Sequence, residues 1–324
     1  MKTKILFILS ALVLFISINA HALVPNTMLI DGVMYYQNYD LKGKGWEWDA
    51  IEQILYLDNY DGTRIESPSV NLHIELKSDS IIRSTDDEYA LKSNSLNIGA
   101  GDKELKLTID AKNGLYAENE IKTNNVNFNF INSNATNLFK TNIIGSTIFI
   151  KNSIMYCESQ RKAILTSSSM VDLENVAIEG FTGDTIFESN TDNMCNLNIT
   201  DSNIKAYAQS YIFNKQSVKL RNSSLVLYGN IKYGIETKIN FITPHDSFYS
   251  PDGFNYRPYN YESNDIHFLT IVPQGSPVKT YNEVIHETPN TGDDLVIMLT
   301  IMTISLLTIT LITYYLFKRK HGEN

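Results

Sequence analysis

Short apolar pairs return along this chain with a period slightly above twenty residues. They fall at Ala90-Leu91, Leu115-Tyr116, Leu138-Phe139, Ile164-Leu165, Ile186-Phe187, Ile212-Phe213 and Gly234-Ile235, spaced 25, 23, 26, 22, 26 and 22 residues apart. Self-similarity at that period is the mark of a solenoid, in which one supersecondary unit cannot bury its apolar face alone and successive units must stack. A sharper element follows five of the pairs, beginning at Ile121, Ile148, Val171, Leu197 and Val218. Two residues on stand Thr123, Ile150, Leu173, Ile199 and Leu220, and seven on stand Phe128, Met155, Ile178, Ile204 and Leu225. Between them, four residues on, come Asn125, Asn152, Asn175, Asp201 and Asn222. Apolar alternation, an Asn or Asp, then alternation again reads as strand, turn, strand. No comparable stretch carries helical periodicity. The fold expected is therefore all-β, a parallel β-helix of some seven to nine coils and about 35 to 45 Å in length at the usual strand spacing. Asn tolerates the left-handed backbone of a sharp turn, and stacked amides can bond from coil to coil, so this column reads as scaffold before it reads as a site.

The ends of the chain carry different information. Lys2 and Lys4 precede a mostly apolar stretch over residues 5–18, and Ala20-His21-Ala22 then places small residues where signal peptidase requires them. Cleavage after Ala22 would start the mature protein at Leu23, and the apolar run is short of the ~20 residues a bilayer demands. Near the other end, residues 295–317 form an uncharged apolar run followed at once by Lys318-Arg319-Lys320. Such a run is long enough for a transmembrane helix, and its basic flank stays cytoplasmic by the positive-inside rule. Just ahead stands Thr288-Pro289-Asn290-Thr291-Gly292. The order of pentapeptide, apolar span and basic tail resembles the sorting signals of Gram-positive surface proteins. That resemblance implies that sortase cuts between Thr291 and Gly292 and joins the Thr291 carbonyl to cell-wall peptidoglycan. Thr288 departs from the Leu usual at the first position; a Pro/Asn/Gly turn before an ordinary membrane anchor is the plainer reading.

Between these ends, residues 23–287 are expected to face outward. The whole chain holds 27 basic and 36 acidic residues; five of the basic ones and three of the acidic ones (Asp293, Asp294, Glu323) lie in the end segments, which leaves 22 against 33, or −11. That sign excludes a nucleic-acid partner. Two cysteines in an exported chain of this size do not make a disulfide framework. Cys157 falls nine residues into one coil, on an inward column, while Cys195 lies two residues ahead of a strand two coils later, so no bridge between them is expected. The six histidines are scattered and show no metal-ligand spacing.

Ahead of the repeat, residues 23–69 read as a β cap, with Gly45-Trp46-Glu47-Trp48-Asp49 and Leu55-Tyr56-Leu57-Asp58-Asn59-Tyr60-Asp61-Gly62 as its marked segments. These resemble the aromatic opening of Gram-positive surface proteins whose right-handed β-helix is described as a carbohydrate-binding domain. The likeness runs from about Leu29 to Ile242 and implies a non-catalytic adhesin that binds a polysaccharide or host glycan. A cap covers the apolar end of a solenoid, so Trp46 and Trp48 are read as cap packing rather than sugar platforms. The helix itself spans 70–243. A closing segment and spacer over 244–287 holds five of the eight prolines and one apolar run, residues 266–272, that reads as a last strand. Residues 288–324 make up the sorting signal and anchor.

A polysaccharide-acting β-helix enzyme, lyase or hydrolase, is the rival function. Asn190-Thr191-Asp192 matches one polygalacturonase segment, but no Gly-His-Gly or Arg-Ile-Lys follows, and no histidine lies between His73 and His245. A passive surface stalk is the other alternative. Binding is placed instead at one corner, because the interval from apolar pair to strand alternates: 6 residues from Leu115 to Ile121, 10 from Leu138 to Ile148, 7 from Ile164 to Val171, 11 from Ile186 to Leu197 and 6 from Ile212 to Val218. Insertions collected on one face of a solenoid often mark its binding side. The loops are residues 140–146 and 188–196, whose Asn142, Glu188, Asn190, Asp192 and Asn193 suit sugar hydroxyls or, as a weaker alternative, a shared calcium ion. No other cofactor is implied.

For the anchor, Thr291→Ala is expected to move the protein from the fraction released by muralytic enzyme into the detergent-soluble membrane fraction. Wild type and variant both found in the membrane fraction would exclude wall linkage.

Overall fold

The computed structural model describes residues 26–278, except 69–70, 132–137, 142–143, 160–164, 232–236, 253 and 260–265. The signal peptide, the pentapeptide 288–292 and the apolar span 295–317 lie outside the described residues. What is described is an all-β solenoid of about six turns, built on three faces.

On the first face, inward residues stack in the row Leu72, Leu96, Ile121, Ile148, Val171, Leu197, Val218 and Ile239, each pairing parallel with the next. A second face stacks Ile82, Ile109, Phe130, Cys157, Gly180, Ala206 and Leu227. The third stacks Ile65, Leu91, Leu115, Phe139, Leu165, Phe187 and Phe213. Six windings close all three faces, and the outermost rows add only partial turns, hence fewer coils than the seven to nine expected. Apolar residues of these rows form one continuous core, with Phe139 edge-on to Phe128 and Phe130 and Phe187 stacked on Phe213 at 5.6 Å.

The strand frame read from the repeat is the observed register, including Cys157 beside Phe130 and Gly180. One apolar pair is shifted. Leu115 pairs with Leu91 and Phe139, so the unit there is Gly114-Leu115 rather than Leu115-Tyr116. The cause is close backbone approach: Leu115 N–H donates to the Leu138 carbonyl at 2.6 Å, and a Cβ on residue 114 would lie 2.1 Å from that same oxygen. Only glycine fits, and the pair loses its apolar first member. Ile164 and the pair Gly234-Ile235 lie outside the described residues.

The turn between the first two faces is set by the Asn column. Asn125, Asn152, Asn175, Asp201 and Asn222 all hold φ between 48° and 59°, the left-handed region. Their side chains also chain together: Asn175 Nδ2 donates to Asn152 Oδ1 at 2.9 Å and Asn222 Nδ2 to Asp201 Oδ1 at 2.7 Å. Each coil thus turns at the same place and is tied there to the coil before it.

Both ends leave the parallel pattern. Thr27–Ile30 and Val33–Tyr36 form a hairpin whose turn residues Asp31 and Gly32 have φ of 55° and 76°, the two left-handed residues a tight hairpin prefers. Trp46–Asp49 pairs antiparallel with Ile54–Leu57, and Ile54–Leu57 in turn pairs parallel with Leu72–Leu76. Parallel stacking therefore starts at Ile54, within the segment assigned to the cap. Trp46 and Trp48 are buried, Trp48 Nε1 donating to the Gln37 carbonyl at 3.0 Å and Trp46 meeting Tyr35 edge-on, as cap packing requires. At the far end Ile266–Pro273 is the expected last strand. It runs antiparallel to Ser224–Ile231 and to His245–Ser250, so the parallel stack is closed by reversed strands. Cys157 and Cys195 are both free and buried. Burial pushes the Cys157 thiol well up and pushes Cys195 up to about 12, the latter opposed by a hydrogen bond with Ser167.

Ile178→Ala or Leu220→Ala should each lower unfolding free energy by about 2–5 kcal/mol, while Arg221→Ala, on the exposed row beside Leu220, should stay within about 0.5 kcal/mol; denaturant midpoints measure both, and equal losses would mean the inward row is misassigned. Asn175→Ala forces a Cβ residue without a turn-stabilising amide into left-handed backbone and should cost about 1–2 kcal/mol, with Asn175→Gly costing less. A larger loss for Gly than for Ala would refute the turn argument.

Candidate functional site

In the observed register the corner after the third face is long in alternate coils. It takes six residues from Leu115 to Ile121, nine from Phe139 to Ile148, six from Leu165 to Val171, ten from Phe187 to Leu197 and five from Phe213 to Val218. The two long corners meet across the short one between them. Asn190 Nδ2 donates to the Thr141 carbonyl at 2.6 Å, and Asn190 N–H donates to the Ser167 carbonyl of the intervening coil.

Beneath this contact lies a row of inward hydroxyls that the apolar pattern did not reveal. Ser67, Ser93, Thr141, Ser167 and Ser189 each stand two residues after an inward apolar residue of the third face. Thr141 Oγ1 donates to Ser167 Oγ at 3.1 Å, and Ser146 Oγ donates to Thr141 Oγ1 at 2.9 Å. Ser189 Oγ donates to the Asn193 carbonyl at 2.8 Å, fixing the longer loop from inside. Small polar residues let the chain turn sharply here while keeping buried backbone and hydroxyl groups bonded.

Outside the same corner runs the outward row Lys140, Thr166, Glu188 and Asn214. With the loop above it, this row bounds a cleft of about 410 Å³, lined by Lys140, Thr166, Glu188, Asn190, Asp192 and Lys215 among others. Lys215 Nζ lies 3.1 Å from Asp192 Oδ1. Lys215 itself has φ of 55°, a strained conformation for a lysine, costing roughly 1–2 kcal/mol. Thr166 is 2% exposed, and its Oγ1 has no hydrogen-bond partner among the described residues. The cleft therefore presents two cations, two carboxylates, amides and hydroxyls within one small concavity.

Of the residues expected from sequence, Glu188, Asn190 and Asp192 are brought together on this wall. Asn193 shapes the loop through its carbonyl and does not line the cleft. Asn142 lies outside the described residues. Lys140, Thr166 and Lys215 were not singled out as binding residues. Their signal was present as outward positions of the strands flanking the long loops, but it appears only once the third face is in register. Among the described residues no group of three or more His, Cys, Asp or Glu side chains could hold a metal ion, and Asp192 is ion-paired with Lys215, so the geometry adds nothing to the calcium alternative. Also among the described residues, no helix is long and apolar enough to cross a membrane. Comparisons with protein-family models, with curated proteins and with solved structures find no match to this chain.

Proposed function

We propose that this is an exported, wall-anchored surface protein that binds a carbohydrate without catalysis, with its contact surface in the cleft at the long corner. The observation that carries the reading is the buried, unpartnered Thr166 hydroxyl in the wall of a polar cleft with balanced charge. A buried hydroxyl without a partner forgoes about 1–3 kcal/mol of hydrogen bonding. A ligand rich in hydroxyls, donor and acceptor at once, matches the mixture of Lys140, Lys215, Glu188 and Asn190 better than a ligand of one charge. The strained Lys215 and the contact of Asn190 with the other long loop support the same place, because they hold the wall in shape before any ligand arrives.

Glycan-array binding of the full chain in detergent tests this directly. Glu188→Ala and Lys215→Ala should each remove a charged hydrogen bond, weakening binding by about 10- to 100-fold, with the melting curve nearly unchanged. A chain that binds no glycan would be a passive stalk. Release of unsaturated or reducing sugar ends from any polysaccharide would overturn the non-catalytic reading.

A further inference from the structure

A second concavity lies on another face, beside the Asn column. Two cavities, of about 290 and 230 Å³, share Ile154, Ala177 and Asn203 and so form one groove. Its floor belongs to the outward row of the second face, where Ile154 pairs with Ala177, Ala177 with Asn203 and Asn203 with Ser224. Ile154 is 57% exposed, unusual for isoleucine on the outside of a strand. One bank is the amide column of Asn152 and Asn175. The other is the next outward row, Tyr156, Glu179 and Lys205, each paired to the next. Glu179 and Lys205 are joined at 2.7 Å, with Lys205 only 12% exposed, so this bank carries no net charge. Four successive rungs from Ile154 to Ser224, at about 4.8 Å each, give the floor a length of roughly 15 Å along the axis.

The chemistry of the groove narrows its occupant. An apolar floor with a bank of amides is complementary to a chain that has flat C–H surfaces on one side and hydroxyls at its edges. Polyanions are disfavoured by the excess of acidic residues and by Glu104 and Asp201 at the rim. An extended peptide would need an open strand edge for its backbone, yet the floor strand Thr147–Ser159 is already paired on both sides, to Val126–Ile131 and to Met170–Thr182. The geometry points to a linear neutral polysaccharide lying along the rod axis over Ile154 and Ala177, at a site separate from the corner cleft and not dependent on it.

Affinity electrophoresis of the full chain through gels containing soluble mixed-linkage β-glucan, galactomannan or hydroxyethylcellulose tests this. Wild type should be retarded by at least one of them. Ala177→Arg, which fills the floor, and Ile154→Asn, which removes its apolar character without adding bulk, should each weaken retardation by about tenfold or more, while Lys215→Ala leaves it intact. Oligosaccharides should compete better with increasing length until they span the floor. The proposal is overturned if none of the three polymers retards wild type, if Ile154→Asn at an unchanged melting temperature is retarded as wild type, or if Lys215→Ala alone abolishes retardation. The last outcome would return all binding to the corner cleft, whereas loss in the floor variants alone would count against the cleft and for the groove.

Discussion

Everything in this molecule depends on each coil lying in register on the coil before it. A parallel stack has no hairpin to fix its pairing, so register must be specified by side chains, and a slip of one residue would turn every inward row to solvent. The Asn column supplies that specification. Its members share one left-handed backbone conformation, which starts the second face at the same point in every turn, and their amides bond along the axis. The inward rows then supply the energy, since aliphatic and aromatic residues stacked one above another bury a continuous core that no single coil could enclose.

Such an arrangement leaves two raw ends, and both are closed by reversing strand direction. At the N-terminal end the two tryptophans and the hairpin of Thr27–Ile30 cover the first coil, with Asp31 accepting from the Tyr60 hydroxyl at 2.8 Å and from Thr63 N–H at 2.6 Å. At the other end Ile266–Pro273 lies antiparallel across the last rung of the second face. Reversed strands satisfy the edge hydrogen bonds of the last coil without offering a matching parallel edge to another copy.

Variation is then confined to the corners and the outward rows. The Asn turn is short in every coil because the left-handed residue permits nothing longer, whereas the corner after the third face alternates between short and long. Inward hydroxyls at that corner tolerate the alternation, since Thr141, Ser146 and Ser167 bond to one another as the chain leaves the face. The two concavities follow from this division. One arises where two long corners reach across a short one, and the other where small and apolar residues occupy consecutive outward rungs between two taller banks.

The amino-acid sequence by itself determined the fold class, the strand frame, the left-handed Asn turn and the two tryptophans as cap packing, because each rests on interactions that repeat at fixed spacing or on a residue type with one backbone preference. It also marked the residues of the long loops, of which Glu188, Asn190 and Asp192 share a wall. Tertiary structure alone decided the rest. The shift at Gly114 comes from a carbonyl of the next coil, and the hydroxyl row, the place of Lys140, Thr166 and Lys215 in the cleft, and the groove over Ile154 and Ala177 all join residues more than twenty positions apart. Outward positions carry no period of their own, so which of them become neighbours is fixed only when the inward rows have set the register.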